Sequence, residues 1–290
     1  MGLKKILMSF VGLIILFVLW PSPIDPIAYS PTFARPLDGL LAPNMALKQA
    51  HRFILTSGFG PEDVAVDGDG RLYGGLQDGR IIRILSDGTQ ENFVTIEGGR
   101  PLGLAWAADG NLIVADAFKG LLSVSPTGEM TTLSTEAGGV PYAFADDVDI
   151  AEDGKIYFSD ASDTYDQHEY MKDILEARPH GRLLMYDPAS KKTSVLLQDL
   201  FFANGIAVSE GGDFVLVNET GKYRVTRYWL KGEKTGTTDI FIDNLPGFPD
   251  GISRGEDATF WLAIPSPRNP ILDNAHPKPW LKNIFAKLPK

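Results

Sequence analysis

The chain has 290 residues, 44% of them apolar, which is enough for one large domain with a buried core. A formal net charge of −10 argues against a nucleic-acid reader, whose phosphate contacts need Lys and Arg, and is compatible with cation binding. The absence of cysteine excludes disulfides, thiolate metal sites and cysteine nucleophiles, and leaves the compartment open.

Lys4 and Lys5 precede an uncharged apolar run over residues 6–20, followed by Pro21, Pro23 and Pro26. A basic flank before such a run is the pattern of a signal peptide or signal anchor. Leu19-Trp20-Pro21-Ser22-Pro23 lacks a small-x-small cleavage pattern, so residues 1–22 are expected to form an uncleaved membrane anchor. The positive-inside rule then places Lys4 and Lys5 in the cytoplasm and the rest of the chain on the extracytoplasmic side, periplasmic or lumenal/extracellular. Residues 23–46, rich in proline, read as an extended stalk.

From residue 47 to 290 the text is strand-like and repetitive. Residues 64–67, Gly68-Asp69-Gly70 and 71–75 form a strand, a tight turn and a strand, with Asp-Gly supplying the positive φ of the turn. The phrase returns around Asp109-Gly110, Asp153-Gly154, Gly211-Gly212 and Gly255. Full copies are followed by two further strand candidates, such as 80–85 and 91–96. Positions 63, 103, 147, 205 and 251 are equivalent, with steps of 40, 44, 58 and 46 residues. Four short strands per repeat of this length predict an all-β fold, a β-propeller. The long step holds an insertion over residues 161–182, with helical character at 166–177 and Pro179 as its stop, expected to lie over one end of the propeller as a lid. Residues 51–56 read as a ring-closing outer strand. A sixth copy at this spacing would begin beyond Lys290, so the expectation is about five blades with an incomplete last one.

The residue before each of those positions defines a register: Glu62, Leu102, Asp146, Asn204 and Asp250. In a radially repeated fold these face one axis. Like charges gathered there would repel and be costly to desolvate, and a divalent cation removes the penalty. The metal ligands expected are therefore Glu62, Asp146, Asn204 and Asp250, and an all-oxygen set selects Ca²⁺, or another hard divalent cation, over Zn²⁺. The competing reading is that each acid caps a turn beside Gly or Pro. Asp63 and Asp147, one residue on, are candidates for orienting the ligands, or for plain strand starts. No Gly-x-Ser-x-Gly occurs, and none of His51, His168, His180 and His276 is at a register position. A hydrolase built on this chain would use the metal, with Asp146, Glu62 or Asp250 as the catalytic carboxylate.

Several segments carry a family likeness: Gly60-Pro61-Glu62-Asp63, Gly99-Arg100-Pro101-Leu102-Gly103, residues 115–121, residues 223–232 and residues 263–270. Through them the chain resembles the superfamily of gluconolactonase/regucalcin, paraoxonase and strictosidine synthase. Within it, the likeness is to strictosidine synthase-like proteins of the adipocyte plasma membrane-associated type. The resemblance implies a six-bladed propeller and, in metal-dependent members, one catalytic Ca²⁺ or similar ion, with metal positions at Glu62, Asn204 and Asp250. Asp146 matches a position that is usually Asn and contacts metal or substrate. Leu102 stands where paraoxonases have His, and the chain ends before the last-blade Glu of the strictosidine-condensing enzymes. The expected function is a membrane-anchored, Ca²⁺-dependent hydrolase of small-molecule esters or lactones. The alternatives are a non-catalytic binding propeller and a strictosidine synthase-like condensing enzyme.

Overall fold

The computed structural model describes Gly12, residues 16–18 and residues 20–288. Most of the expected anchor over residues 1–22 lies outside the described residues. Among the described residues no helix is long and apolar enough to cross a membrane.

The repeated Asp-Gly turns form hairpins for a local reason. Gly70, Gly110 and Gly154 have φ of 76°, 84° and 81° and donate their N–H to the carbonyls of Asp67, Ala107 and Ala151. Each turn thus closes over three residues, with glycine in the left-handed region that costs other residues strain. The resulting strands build four antiparallel, four-stranded sheets in chain order. The first comprises β1 (Val64–Val66), β2 (Leu72–Gly75), β3 (Arg80–Ile84) and β4 (Gln90–Thr95). The second comprises β5 (Pro101–Trp106), β6 (Leu112–Asp116), β7 (Gly120–Val124) and β8 (Met130–Ser134). A two-residue hairpin of β9 (Glu136–Ala137) and β10 (Val140–Pro141) follows. The third sheet holds β11 (Ala145–Ile150), β12 (Ile156–Asp160), β13 (Gly181–Asp187) and β14 (Lys192–Leu200). The fourth holds β15 (Ala203–Val208), β16 (Phe214–Glu219), β17 (Arg224–Trp229) and β18 (Thr238–Ile242). The fifth repeat contributes β20 (Ile252–Arg254) paired with β21 (Phe260–Leu262), beside a short pair of β19 (Gly247–Phe248) and β22 (Ser266–Pro267).

The first strands neighbour one another in the order β1, β5, β11, β15, β20 and wall a channel of about 770 Å³. The core is divided into seams between successive sheets. Strand β6 shows why its sequence is apolar throughout. Leu112 and Val114 enter the seam toward the first sheet, while Ile113 and Ala115 enter the seam toward the third. A strand buried on both faces reads as a continuous apolar run rather than an alternating one. The seams are close enough to require glycine. A Cβ on Gly103 would lie 2.6 Å from Asp147 Cα, and one on Gly205 would lie 2.4 Å from the Asp250 carbonyl oxygen.

Three local expectations change. Residues 51–56 form no strand; that segment is tied to the edge of β4 by the side chain of Gln90, which accepts from Thr56 N–H and donates to the Ile54 carbonyl. The lid helix α1 spans Tyr170–Glu176, starting later than residue 166 because Asp166 closes a turn onto the N–H groups of His168 and Glu169. It ends at Ala177, whose φ of 58° breaks the helix before Pro179 is reached. Two further helices, α2 (Pro270–Ala275) and α3 (Pro279–Phe285), follow the fifth repeat.

Candidate metal centre

The register residues occupy irregular points of the inner strands. Pairing shifts between Pro101 and Leu104 in β5, between Ala145 and Val148 in β11, and between Ala203 and Ile206 in β15. Leu102, Asp146 and Asn204 lie inside these bulges. A bulge re-aims side chains and ends regular pairing, the local device that separates the register residue from the ladder. Glu62 and Asp250 stand just before β1 and β20.

The expected metal ligands sense one another. Asn204 Nδ2 donates to Asp250 Oδ1 at 2.8 Å. Asp146 is 3% exposed, and its Oδ2 is buried without a hydrogen-bond partner. Burial raises the Asp146 carboxyl well above the usual range, and the charges of Glu62, Asp250 and Asp147 raise it further. Solvent reaches Glu62 from the channel, yet the channel walls displace enough water to push it up to about 7; Asp250 adds to the rise and the Arg100 guanidinium opposes it. Burial also raises Asp250, against the hydrogen bond from Asn204. Among the described residues, however, no three His, Cys, Asp or Glu side chains are gathered closely enough to ring a metal ion. The chain thus brings the four residues into one electrostatic neighbourhood without closing them into a ligand shell. The donor chemistry fits a hard divalent cation, since the set is all oxygen apart from the amide nitrogen and includes one buried, unpartnered carboxylate oxygen.

The register's apolar member has a structural role. Leu102, 2% exposed, packs with Ala117, Phe144, Ala161 and Phe202, and Ile174 of α1 rests on this cluster. The lid helix therefore packs, through Leu102, against the end of the inner strands where the register residues lie.

Asp63 and Asp147 join sheets. Asp63 Oδ2 accepts the Leu104 N–H at 2.9 Å, and Asp147 Oδ2 accepts the Ile206 N–H at 2.7 Å. Asp149 repeats the device on Val208 N–H at 2.8 Å. Each carboxylate satisfies a backbone donor on a neighbouring inner strand that the bulge or strand edge leaves free.

Two features escaped the sequence reading. Acids at the ends of β6, β12 and β16, namely Asp116, Asp160 and Glu219, pair across from the starts of the inner strands. They hold loop backbone: Asp116 accepts from Phe118 and Lys119 N–H, Asp160 from Phe144 N–H and Arg182, and Glu219 from Phe201 N–H and Arg224. Their signal was the acid ending the second strand of three successive repeats. The other is Arg100, buried, whose guanidinium donates to the carbonyls of Gly60, Gly75 and Pro101. Its fixed charge lies within reach of Glu62, Asp146 and Asp116. The signal was a cation two residues before Leu102, where the other repeats carry Gly60, Phe144, Phe202 and Phe248.

Comparison with known proteins agrees with this geometry at the level of fold and family. The Strictosidine synthase family profile matches residues 146–233, and the Strictosidine synthase-like, N-terminal profile matches residues 39–84. The adipocyte plasma membrane-associated protein of Salmo salar is 38% identical over 95% of this chain and 71% of its own length. Strictosidine synthase-like protein 6 of Arabidopsis thaliana is 41% identical over 79% of this chain and 63% of its own. Among solved structures, a gluconolactonase from Xanthomonas campestris superposes with a TM-score of 0.61 at 18% identity, covering 85% of this chain and 83% of that one. A calcium-binding regucalcin from Agrobacterium tumefaciens gives 0.57 at 19% identity, covering 72% and 68%. At these identities the likeness is one of fold, that of the gluconolactonase and regucalcin propellers. The chain belongs to the strictosidine synthase-like family that includes the adipocyte plasma membrane-associated proteins.

Proposed function

We propose that the protein is a membrane-anchored hydrolase of esters or lactones that works with a Ca²⁺ ion, or another hard divalent cation, held by Glu62, Asp146, Asn204 and Asp250 in a six-bladed propeller plan. The observation that carries the reading is the buried, unpartnered Asp146 Oδ2 within electrostatic reach of Glu62 and Asp250. An acidic cluster this poorly compensated by the protein is what a bound cation completes. When bound, the ion supplies Lewis-acid polarisation of a substrate carbonyl.

The chain's own residues divide the remaining work. Asp63 and Asp147 are committed to backbone N–H groups, which removes them as proton acceptors. Asp250 is oriented by Asn204. Of the three catalytic candidates, Glu62 is the exposed one, while Asp250 is half-buried and Asp146 buried, so Glu62 is the group placed to exchange a proton with substrate or water. The Leu102 cluster places buried apolar side chains beside the register carboxylates. The gluconolactonase likeness and the plasma-membrane name of the relatives support this substrate class and the anchor. The test is hydrolysis of aryl esters and lactones by purified full-length protein, with and without chelator. Activity that chelator abolishes and Ca²⁺ restores is expected; chelator-insensitive activity would overturn the mechanism, and no activity under any metal would favour a non-catalytic binding propeller.

A further inference from the structure

Ile24 is 6% exposed although it lies outside every sheet and helix, and Pro26 is also buried. The segment they belong to, residues 24–33, runs extended across the lid helix and the helices after the fifth repeat. Asp25 N–H donates to Glu176 Oε1 at 2.8 Å, and Arg178 returns two bonds, from Nε to the Asp25 carbonyl and from Nη2 to Asp25 Oδ2. Ile27 N–H donates to the Glu176 carbonyl at 3.1 Å, and Tyr29 N–H to the His276 carbonyl at 3.0 Å. Further along, Arg268 donates to the Thr32 carbonyl and Asn244 to that of Phe33.

Lys282 of α3 joins the pieces. Its side chain is fully buried, and Nζ donates to the Ile27 carbonyl at 2.6 Å and to the Glu176 carbonyl at 3.0 Å. Glu176 is the last residue of α1, so its carbonyl has no partner within that helix and presents the negative end of the helix dipole. One ammonium therefore caps the lid helix and grips the extended segment at once. A buried lysine is found where its charge is used, and these two carbonyls are what it uses here.

We infer that residues 24–33 form a strap that latches α1 over the register end of the channel, with Lys282 as its pin. The mechanical path is continuous: strap to the C-terminus of α1, Ile174 of α1 to Leu102, and Leu102 to the bulge beside the carboxylates. Releasing the strap frees α1 to lift off the Leu102 cluster and uncovers the register end of the inner strands. The residues following the N-terminal apolar run thus control access to the ring whatever chemistry the ring performs.

Hydrogen–deuterium exchange on the full chain tests the latch. Lys282→Met keeps the buried stem and removes both bonds. The double variant I24S/D25A loosens the strap without touching any sheet. Exchange at residues 24–33 and 170–177 is expected to rise by about tenfold or more in each variant, with β12 and β16 unchanged. Faster exchange at 24–33 with α1 unchanged would overturn the latch, as would no change in either segment. Should Lys282→Met speed exchange in every sheet, the double variant decides: a rise confined to the strap and α1 supports the latch, and any other pattern overturns it.

Discussion

Replacing Asp146 by Asn probes the acidic cluster through stability, before any activity is known. The substitution keeps size and removes a charge that burial and three neighbouring carboxylates oppose. In metal-free protein Asp146 carries a folded-state pKa above its unfolded value. The folded state then holds the proton more tightly, so this group's contribution to stability is complete below about pH 4 and is lost as pH rises toward its folded pKa. At pH 8, far above the unfolded carboxyl range, folding must either bury the charge or take up a proton, at a cost of about 1–3 kcal/mol, that of an unsatisfied buried group. Asp146→Asn should therefore be more stable than wild type by about that amount in chelator at pH 8, roughly 2–5 °C in Tm for a chain of this size. At pH 4 the two should melt together. With saturating Ca²⁺ at pH 8 the order should reverse, because the proposed ligand set is complete only in the wild type. Thermal and urea unfolding under the three conditions provide the readout. A variant less stable than wild type in chelator at pH 8 would refute the reasoning, since it would mean that the carboxylate was already satisfied.

Gly103→Ala should destabilise the fold by about 1–3 kcal/mol in urea unfolding, because its Cβ would meet Asp147 Cα at 2.6 Å and force the seam apart. Leu102→Ala should cost about 2–5 kcal/mol and, in hydrogen exchange, loosen α1, because it removes the apolar seat of Ile174. Asp173 in α1 is raised to about 8, chiefly by burial and then by Glu176, Asp163 and Asp160. Its folded pKa lies above the unfolded value, so its contribution to stability is full below about pH 4 and is lost as pH rises to 8; Asp173→Asn should flatten that part of the pH–stability curve. An unchanged slope would exclude Asp173 as its source.

The sheets were legible because their signal is local and repeated. Turn glycines and apolar runs such as 112–115 recur every 40 to 58 residues, and aligning the repeated phrase places Glu62, Leu102, Asp146, Asn204 and Asp250 in register. What that spacing lacks is pairing. The bulges at 101–104, 145–148 and 203–206 exist only relative to a partner strand, and so do the bonds from Asp63 to Leu104 and from Asp147 to Ile206. One residue of offset separates carboxylates that face other charges from carboxylates that stitch sheets. The helices α2 and α3 had readable signals: Pro270 and Pro279 stand in their first turns, and Asn269 caps α2 by accepting from Ile271 and Leu272 N–H. They were hidden because the repeat pattern predicts strands there. The strap could not be read at all, since residues 24–33 are proline-rich and gain their structure from α1 and α3, far away in sequence.

Calorimetric titration of Ca²⁺ into chelator-stripped full-length protein at pH 8 bears most directly on the centre. One site is expected, with affinity weakened at least about tenfold by Glu62→Gln, Asp146→Asn and Asp250→Asn and unaffected by Asp149→Asn, whose two oxygens accept the Ile150 and Val208 N–H groups. Absence of binding in the wild type, or binding that survives all three ring substitutions, would contradict the account.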